Sequence, residues 1–309
     1  MTIRFDDRVA IVTGAANGLG RAHAMGLAAR GAQVVVLDMG GARDGSAASA
    51  SPAEAVAAEI RDAGGHAMAC AVDVSDAAAV DRAVEAVLAD WGRVDILVNN
   101  AGILRDRSFA KMEMADFRAV IEVHLMGSVH CTKAVWEAMR RQGYGRIVFT
   151  SSSSGLYGNF GQANYGAAKA SMLGLMNVLH LEGRKHDIRV NMLAPTAATR
   201  MTQDLLSPEA AALLTPESIT PGLLYLVSED APSRTILCAG AGVFARTVVT
   251  ETPGVHLSGA DCTPEGVAAA FATLSDPGGG LELTEAFQQT HRFARMAAAA
   301  AGISLPSEG

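Results

Sequence analysis

Tyr165 and Lys169 stand four residues apart, and Ser152 lies thirteen residues before the tyrosine in a run of serines. A phenol ionises near pH 10 and is a weak base at neutrality. An ammonium four residues on shares its helix face. The spacing therefore predicts a tyrosine whose pKa is pulled toward the working range by Lys169. A hydroxyl from the preceding loop, Ser152, can hold a substrate oxygen. Together these residues suit proton transfer to and from a carbonyl/alcohol pair, although a Tyr-x-x-x-Lys pair alone more often means a core ring and a surface charge.

The elements that would position this trio begin at the N-terminus. Residues 8–13 form a short apolar run, read as a buried strand. It ends in Gly14-Ala-Ala-Asn17-Gly18-Leu19-Gly20, followed by a helical pattern. Glycines between strand and helix let the backbone approach a pyrophosphate at a helix N-terminus. The spacing is Gly-x-x-x-Gly-x-Gly, not Gly-x-Gly-x-x-Gly. A second strand, 33–38, ends in Asp38, placed to accept hydrogen bonds from an adenosine ribose and to repel a 2′-phosphate. With Met39-Gly40-Gly41 next and Arg43 the nearest cation, the reading favours NAD over NADP. Cys70-Ala-Val-Asp73-Val74 closes a third strand, whose acid could meet an adenine amino group. Val94-Asp-Ile-Leu-Val-Asn99-Asn100-Ala101-Gly102 carries a fourth strand into small polar residues, which places Asn99 at the carboxyl edge of the sheet.

In order and spacing, the glycine turn, Asp73, Asn-Asn-Ala-Gly, Ser152, Tyr165 and Lys169 resemble the short-chain dehydrogenase/reductase family over roughly residues 5–250. Further segments are similar to one branch of it, the (R)-3-hydroxyacyl-CoA dehydrogenase unit of peroxisomal multifunctional enzymes and its stand-alone bacterial relatives. They include Val123-His-Leu-Met-Gly127, Gly155-Leu-Tyr-Gly-Asn-Phe-Gly-Gln-Ala-Asn-Tyr165 and Glu182-Gly-Arg-Lys185. The resemblance implies that Tyr165 is the acid/base, that Lys169 tunes it and binds the nicotinamide ribose, and that Ser152 holds the substrate oxygen. It implies a pyrophosphate on the turn of Gly14, Asn17, Gly18, Leu19 and Gly20, ribose on Asp38, and adenine beside Asp73 and Val74. Asn99, Ala101 and Gly102 belong to the same cofactor set. Two departures stand out. His124 replaces the family's mid-helix asparagine, to relay protons or merely to pack. Thr199, matched to a nicotinamide carboxamide ligand, comes one residue early, and no glycine follows Pro195.

Composition bounds the rest. At 309 residues and 50% hydrophobic, the chain can bury a full core. A net charge of −7 without a basic stripe disfavours nucleic acid. Arg105, Arg107 and Arg200 are loop candidates for CoA phosphates. The four cysteines are dispersed, no metal-ligand spacing appears, and no apolar run approaches a membrane span. Without a leader or a Ser-Lys-Leu ending, the expected compartment is cytoplasmic.

Strands near 8–13, 33–38, 66–72, 94–98, 145–150, 187–193 and 235–238 alternate with helices near 18–30, 53–63, 76–91, 115–140, 162–185 and 217–228. This predicts an α/β fold, a Rossmann-like doubly wound parallel sheet of seven strands with helices on both faces. Residues 196–216, with Met201, Leu205, Leu206, Leu213 and Leu214, suggest an apolar lid. Residues 240–249 suggest a hairpin. Residues 250–309 read as a C-terminal extension packed on the core or on a partner subunit, with helices near 264–273 and 284–300. A homodimer or homotetramer through the helices at 115–140 and 162–185 is expected, with Met112, Met114, Val135, Trp136 and Met139 as contact candidates. The expected reaction is NAD-dependent oxidation of a small-molecule alcohol, first a 3-hydroxyacyl-CoA, otherwise a free steroid, sugar or other alcohol. A non-catalytic nucleotide-binding protein is the remote alternative.

Overall fold

The computed structural model describes residues 2–41, 44, 51–198 and 207–306 (of Ser51, the backbone alone). The chain divides into two compact units, Met1–Thr247 and Val248–Gly309.

The first unit is built on strands with side chains that alternate between two buried faces. In β1 (Val9–Thr13), Ala10 and Val12 enter one core while Val9 and Ile11 enter the other; β2 (Gln33–Leu37) divides Val34 and Val36 from Val35 and Leu37 in the same way. Apolar residues in every position are what a strand covered on both sides requires. The sheet continues with β3 (His66–Cys70), β4 (Ile96–Asn99), β5 (Gly145–Thr150), β6 (Ile188–Pro195), β7 (Ile236–Gly240) and β8 (Val243–Thr247). Its order is β3-β2-β1-β4-β5-β6-β7-β8; the first seven strands are parallel, as predicted, and β8 returns antiparallel to β7. The order reverses between β1 and β4, so the crevice at their carboxyl ends is the natural ligand site.

Helices α1 (Gly18–Ala28) and α2 (Ser51–Asp62) cover one face through Leu27, Val56 and Ile60. Helix α3 (Ala77–Trp91) covers the other with Val80, Val84 and Val87; Asp76 caps it by accepting from Ala79 N at 3.0 Å. The predicted helix over 115–140 is three pieces. These are α4 (Met114–Ile121), one wide π turn (Glu122–Met126) and α5 (Gly127–Gln142). Val135, Trp136 and Met139 on α5 pack into the subunit's own core, so these three supply no surface for a partner. A short α6 (Ser153–Tyr157) precedes α7 (Ala163–Gly183), which buries Met172 and Met176. Helices α8 (Pro208–Leu213) and α9 (Thr220–Leu226) complete the unit. Of the suggested lid, Thr196, Ala197 and Ala198 and residues 207–216 are described; Leu213 is exposed, while Met201, Leu205 and Leu206 fall outside the described residues.

The second unit holds α10 (Pro264–Leu274) and α11 (Ala286–Ala301). Thr263 caps α10. Arg292 ties α11 to the unit's first residues, donating to Glu251 at 2.7 Å and to the Thr252 carbonyl at 3.0 Å.

Candidate active site

A cavity of about 580 Å3 opens at the carboxyl edge of β1, β2 and β4. The glycine turn forms one wall. Asn17 occupies the N-cap of α1 and makes no side-chain capping bond, so no capping side chain takes the first-turn N–H groups. The turn cannot carry side chains: a Cβ on Gly20 would lie 2.2 Å from the Gly14 carbonyl oxygen. Gly14, Asn17, Gly18 and Leu19 line the cavity, while Gly20 supports the turn from behind. This open backbone at a helix N-terminus fits a pyrophosphate.

Asp38 follows β2 and lines the same space. Its Oδ2 accepts from Ala16 N at 2.9 Å and its Oδ1 from Gly40 N at 2.6 Å, which fixes the carboxylate beside the turn. Asp73 and Val74 line the neighbouring wall; Ser75 donates its N–H and its hydroxyl to Asp73 Oδ1, at 2.9 and 2.8 Å.

After β4 the two asparagines part. Asn99 is buried and donates to Thr132 of α5 at 3.2 Å, away from the cavity lining. Asn100 faces the cavity, and its amide donates to the carbonyls of Thr13 and Gly14 at 2.9 and 3.1 Å, bracing the glycine turn. Strand spacing points to the first asparagine, whereas the second is the one that lines the cavity. The signal that could have chosen the second is alternation along the strand, which turns neighbours to opposite sides. Ala101 and Gly102 complete that edge, and Ala101 N donates to Thr13 Oγ1 at 3.0 Å.

Ser152, Tyr165 and Lys169 all line the cavity. Ser152 caps α6, its Oγ accepting from Ser154 N at 3.2 Å. Tyr165 and Lys169 project from the first two turns of α7, and the amine nitrogen sits 5.6 Å from the phenol ring centroid. The Lys169 ammonium donates to the Thr150 carbonyl at 2.5 Å. Asn164, fully buried, anchors the helix start by donating to the Arg105 carbonyl at 2.9 Å.

The electrostatics differ from the expectation drawn from spacing. Burial is the largest influence on Tyr165 and raises its pKa above the ordinary phenol value; the hydrogen bond from Ser152 opposes this, and the charge of Asp106 adds to it. Lys169 is buried too, which pushes its pKa down to about 7. The lysine is therefore a titrating partner near neutrality, not a fixed cation that drags the phenol down.

His124 lies on the wide turn between α4 and α5, buried, with its ring edge-on to Tyr165 at 5.2 Å between centroids. A π turn inserts one extra residue per turn and redirects a side chain without ending the helix. Burial, and next the charge of Lys169, lower the imidazole pKa well below its usual value, while a bond to the Ile103 backbone opposes them. The ring is thus neutral at neutral pH. Its Nε2 lies 2.8 Å from Ile103 O and 3.1 Å from Ile103 N, and its Nδ1 finds no hydrogen-bond partner among the described residues. Gly102 makes room for it: a Cβ there would meet the ring at 2.2 Å.

Arg105 also lines the cavity, but its guanidinium is engaged by Asp116 at 2.8 Å and by the Asp44 carbonyl at 3.1 Å. Arg107 is exposed beside Gln162. Arg43, Thr199 and Arg200 lie outside the described residues.

Comparison with known proteins adds to this geometry. The family model described as short chain dehydrogenase matches residues 8–210. A short-chain type dehydrogenase/reductase of Mycobacterium tuberculosis is 46% identical over 274 residues, 88% of this chain and 96% of that protein. Peroxisomal multifunctional enzyme type 2 of Mus musculus is 44% identical over 277 residues, which are 89% of this chain and only 37% of that longer protein. The structure of full-length peroxisomal multifunctional enzyme type 2 from Drosophila melanogaster superposes with a TM-score of 0.80 at 34% identity, covering 96% of this chain and 50% of that one.

Proposed function

This chain belongs to the short-chain dehydrogenase family, and we propose that it is an NAD-dependent dehydrogenase of 3-hydroxyacyl-CoA thioesters. Membership makes it an oxidoreductase acting on CH–OH donors with a nicotinamide dinucleotide. The single observation that carries the site assignment is the convergence of Ser152, Tyr165 and Lys169 with the glycine turn in one cavity. Asp38 supports NAD, because a carboxylate held at the end of β2 binds ribose hydroxyls and repels a 2′-phosphate. The likeness to peroxisomal multifunctional enzymes supports the hydroxyacyl class.

When bound, the dinucleotide supplies the hydride acceptor or donor. The chain's own part is proton transfer and positioning. Gly14, Gly18 and the α1 N-terminus would hold the pyrophosphate, Asp38 the adenosine ribose, and Asp73 and Val74 the adenine edge. In oxidation, Ser152 orients the substrate hydroxyl and Tyr165 takes its proton. Lys169 and the phenol titrate as a pair: loss of one proton near neutrality leaves mainly a phenol beside a neutral amine, in exchange with the form in which phenolate faces ammonium and acts as the base. His124 offers a neutral imidazole with a free Nδ1 beside Tyr165, a station through which water can carry the proton onward. The protein is further proposed to assemble as a homo-oligomer through α5 and α7.

The test is a panel of (R)- and (S)-3-hydroxyacyl-CoA esters with NAD, followed by NADH absorbance. Turnover of one stereochemical series is expected. Turnover of free alcohols with none of the esters would overturn the substrate assignment.

A further inference from the structure

Ser152 and Tyr165 bracket a short segment made of α6, a turn and the start of α7, and the residues between them divide by chemistry. Ser153, Ser154, Asn159 and Gln162 line the cavity. Tyr157 and Phe160 do not: their side chains are 70% and 90% exposed. The turn that carries Phe160 is braced on several sides. Gly158 and Gly161 flank it at φ of 81° and 83°. Asn159 donates to Gln162 Oε1 at 3.1 Å, Gln162 donates to Asp106 at 2.8 Å, and Arg107 N donates to the Gly161 carbonyl at 2.9 Å. Tyr157 is held by its hydroxyl, 3.0 Å from Thr247 Oγ1. A phenyl ring displayed in water by so many bonds is poised for an apolar ligand, because covering it releases the free energy its exposure withholds.

We propose that Tyr157 and Phe160 form an apolar shelf at the mouth of the cleft, which receives the hydrocarbon tail of the substrate. The occupant follows from continuity with the site. A reacting oxygen must sit within hydrogen-bond reach of both Ser152 and Tyr165. The segment that joins them lines the cavity beside that point through Ser153, Ser154, Asn159 and Gln162, so a chain leaving the cleft on that side runs along it. A cavity of about 580 Å3 suits one ligand of ordinary size, so a long acyl group beside a dinucleotide extends beyond it. The proposal rests on the hydroxyacyl reading above and names the part of the protein that measures chain length.

The test compares wild type, Phe160→Ser, Phe160→Leu and Tyr157→Phe on 3-hydroxyacyl-CoA esters from four to sixteen carbons. In wild type, kcat/KM rises with length. Phe160→Ser stays within about twofold of wild type on the four-carbon ester and loses about tenfold on twelve carbons and beyond, mainly through KM. Phe160→Leu and Tyr157→Phe, which keep apolar area, hold most of the preference. Equal loss at every length, or no loss at any, overturns the shelf while leaving the dehydrogenase reading standing. A change in sedimentation with chain-length preference intact also overturns it, by assigning the rings to a subunit contact. Absence of wild-type turnover on every ester removes both.

Discussion

At the scale of single residues, the site turns on how one proton is shared between a half-buried phenol and a buried amine. Tyr165 is pushed up by burial and Lys169 down to about 7. With rising pH the pair therefore releases its first proton near neutrality, and the remaining one can sit on the amine while the phenolate acts as base. Oxidation, which needs that base, rises through a limb near pH 7 in kcat/KM; reduction, which needs the phenol, falls as pH rises. Lys169→Met removes the first titration and leaves a phenol above its ordinary value, so the oxidative limb moves beyond about pH 10. Initial-rate pH profiles of wild type and Lys169→Met check this; an unmoved limb would take the lysine out of the proton pathway. Tyr165→Phe should lower kcat by about a hundredfold to ten-thousandfold while NAD affinity, read by NADH fluorescence, stays within about threefold. Comparable turnover in that variant would remove the tyrosine from the chemistry. At the proposed adenosine end, Asp38→Asn removes a negative charge and nearly keeps the side-chain shape, although its single amide oxygen can accept from only one of Ala16 N and Gly40 N. The preference for NAD over NADP should shrink by about tenfold, since one charge at a partly solvated site is worth roughly 1–2 kcal/mol. An unchanged ratio of the two kcat/KM values would argue against its ribose role.

At the scale of elements, the cleft depends on close approaches that forbid side chains. Gly20→Ala would press a methyl against the Gly14 carbonyl at 2.2 Å, and backbone cannot move aside as a flexible side chain can. The expected cost is about 1–3 kcal/mol of stability, with cofactor affinity lost in step. Thermal unfolding with and without NAD checks it, and a variant as stable and as well bound as wild type would show that the turn is looser than described. These elements were the most legible part of the sequence. Apolar runs such as Gln33–Leu37 mark strands covered on both faces, and glycines followed by an amphipathic pattern mark the α1 junction. What composition does not record is local redirection. The π turn at Glu122–Met126 shifts the hydrogen-bonding pattern by one residue and leaves no mark in apolar spacing, so 115–140 reads as one helix. Asn99 and Asn100 are the same residue type, and only packing against Thr132 and the glycine turn decides which enters the cavity. The proton balance of Tyr165 was illegible for a similar reason: spacing gives the neighbour, but desolvation depends on everything that folds around the ring.

At the scale of the whole molecule, α7 joins the proposed chemistry to the proposed assembly. Its inner face carries Ala168, Lys169, Met172 and Met176, all buried. Its outer face presents Ala163, Ala167, Ala170, Gly174 and Val178, exposed and spaced at helical intervals. A solvated helix face is ordinarily polar; a smooth apolar one lets a second helix approach closely and expel water from both. That face, with no contribution from the buried Val135, Trp136 and Met139, is the surface on which the proposed homo-oligomer would close. Two-fold pairing would set each α7 against its own copy, so a single substitution acts twice in one interface. Ala170→Glu therefore places two carboxylates near one another in a desolvated seam, while in the separated subunit the same side chain stands in water at little cost. Sedimentation velocity should show wild type as a dimer or larger and Ala170→Glu as monomer, with the variant's thermal unfolding becoming independent of protein concentration. An unchanged mass in the variant would place the subunit contact elsewhere. Because Tyr165 and Lys169 lie on the opposite side of this helix, a dissociated but folded variant that loses turnover would show that pairing holds α7, and with it the proton pair, in register.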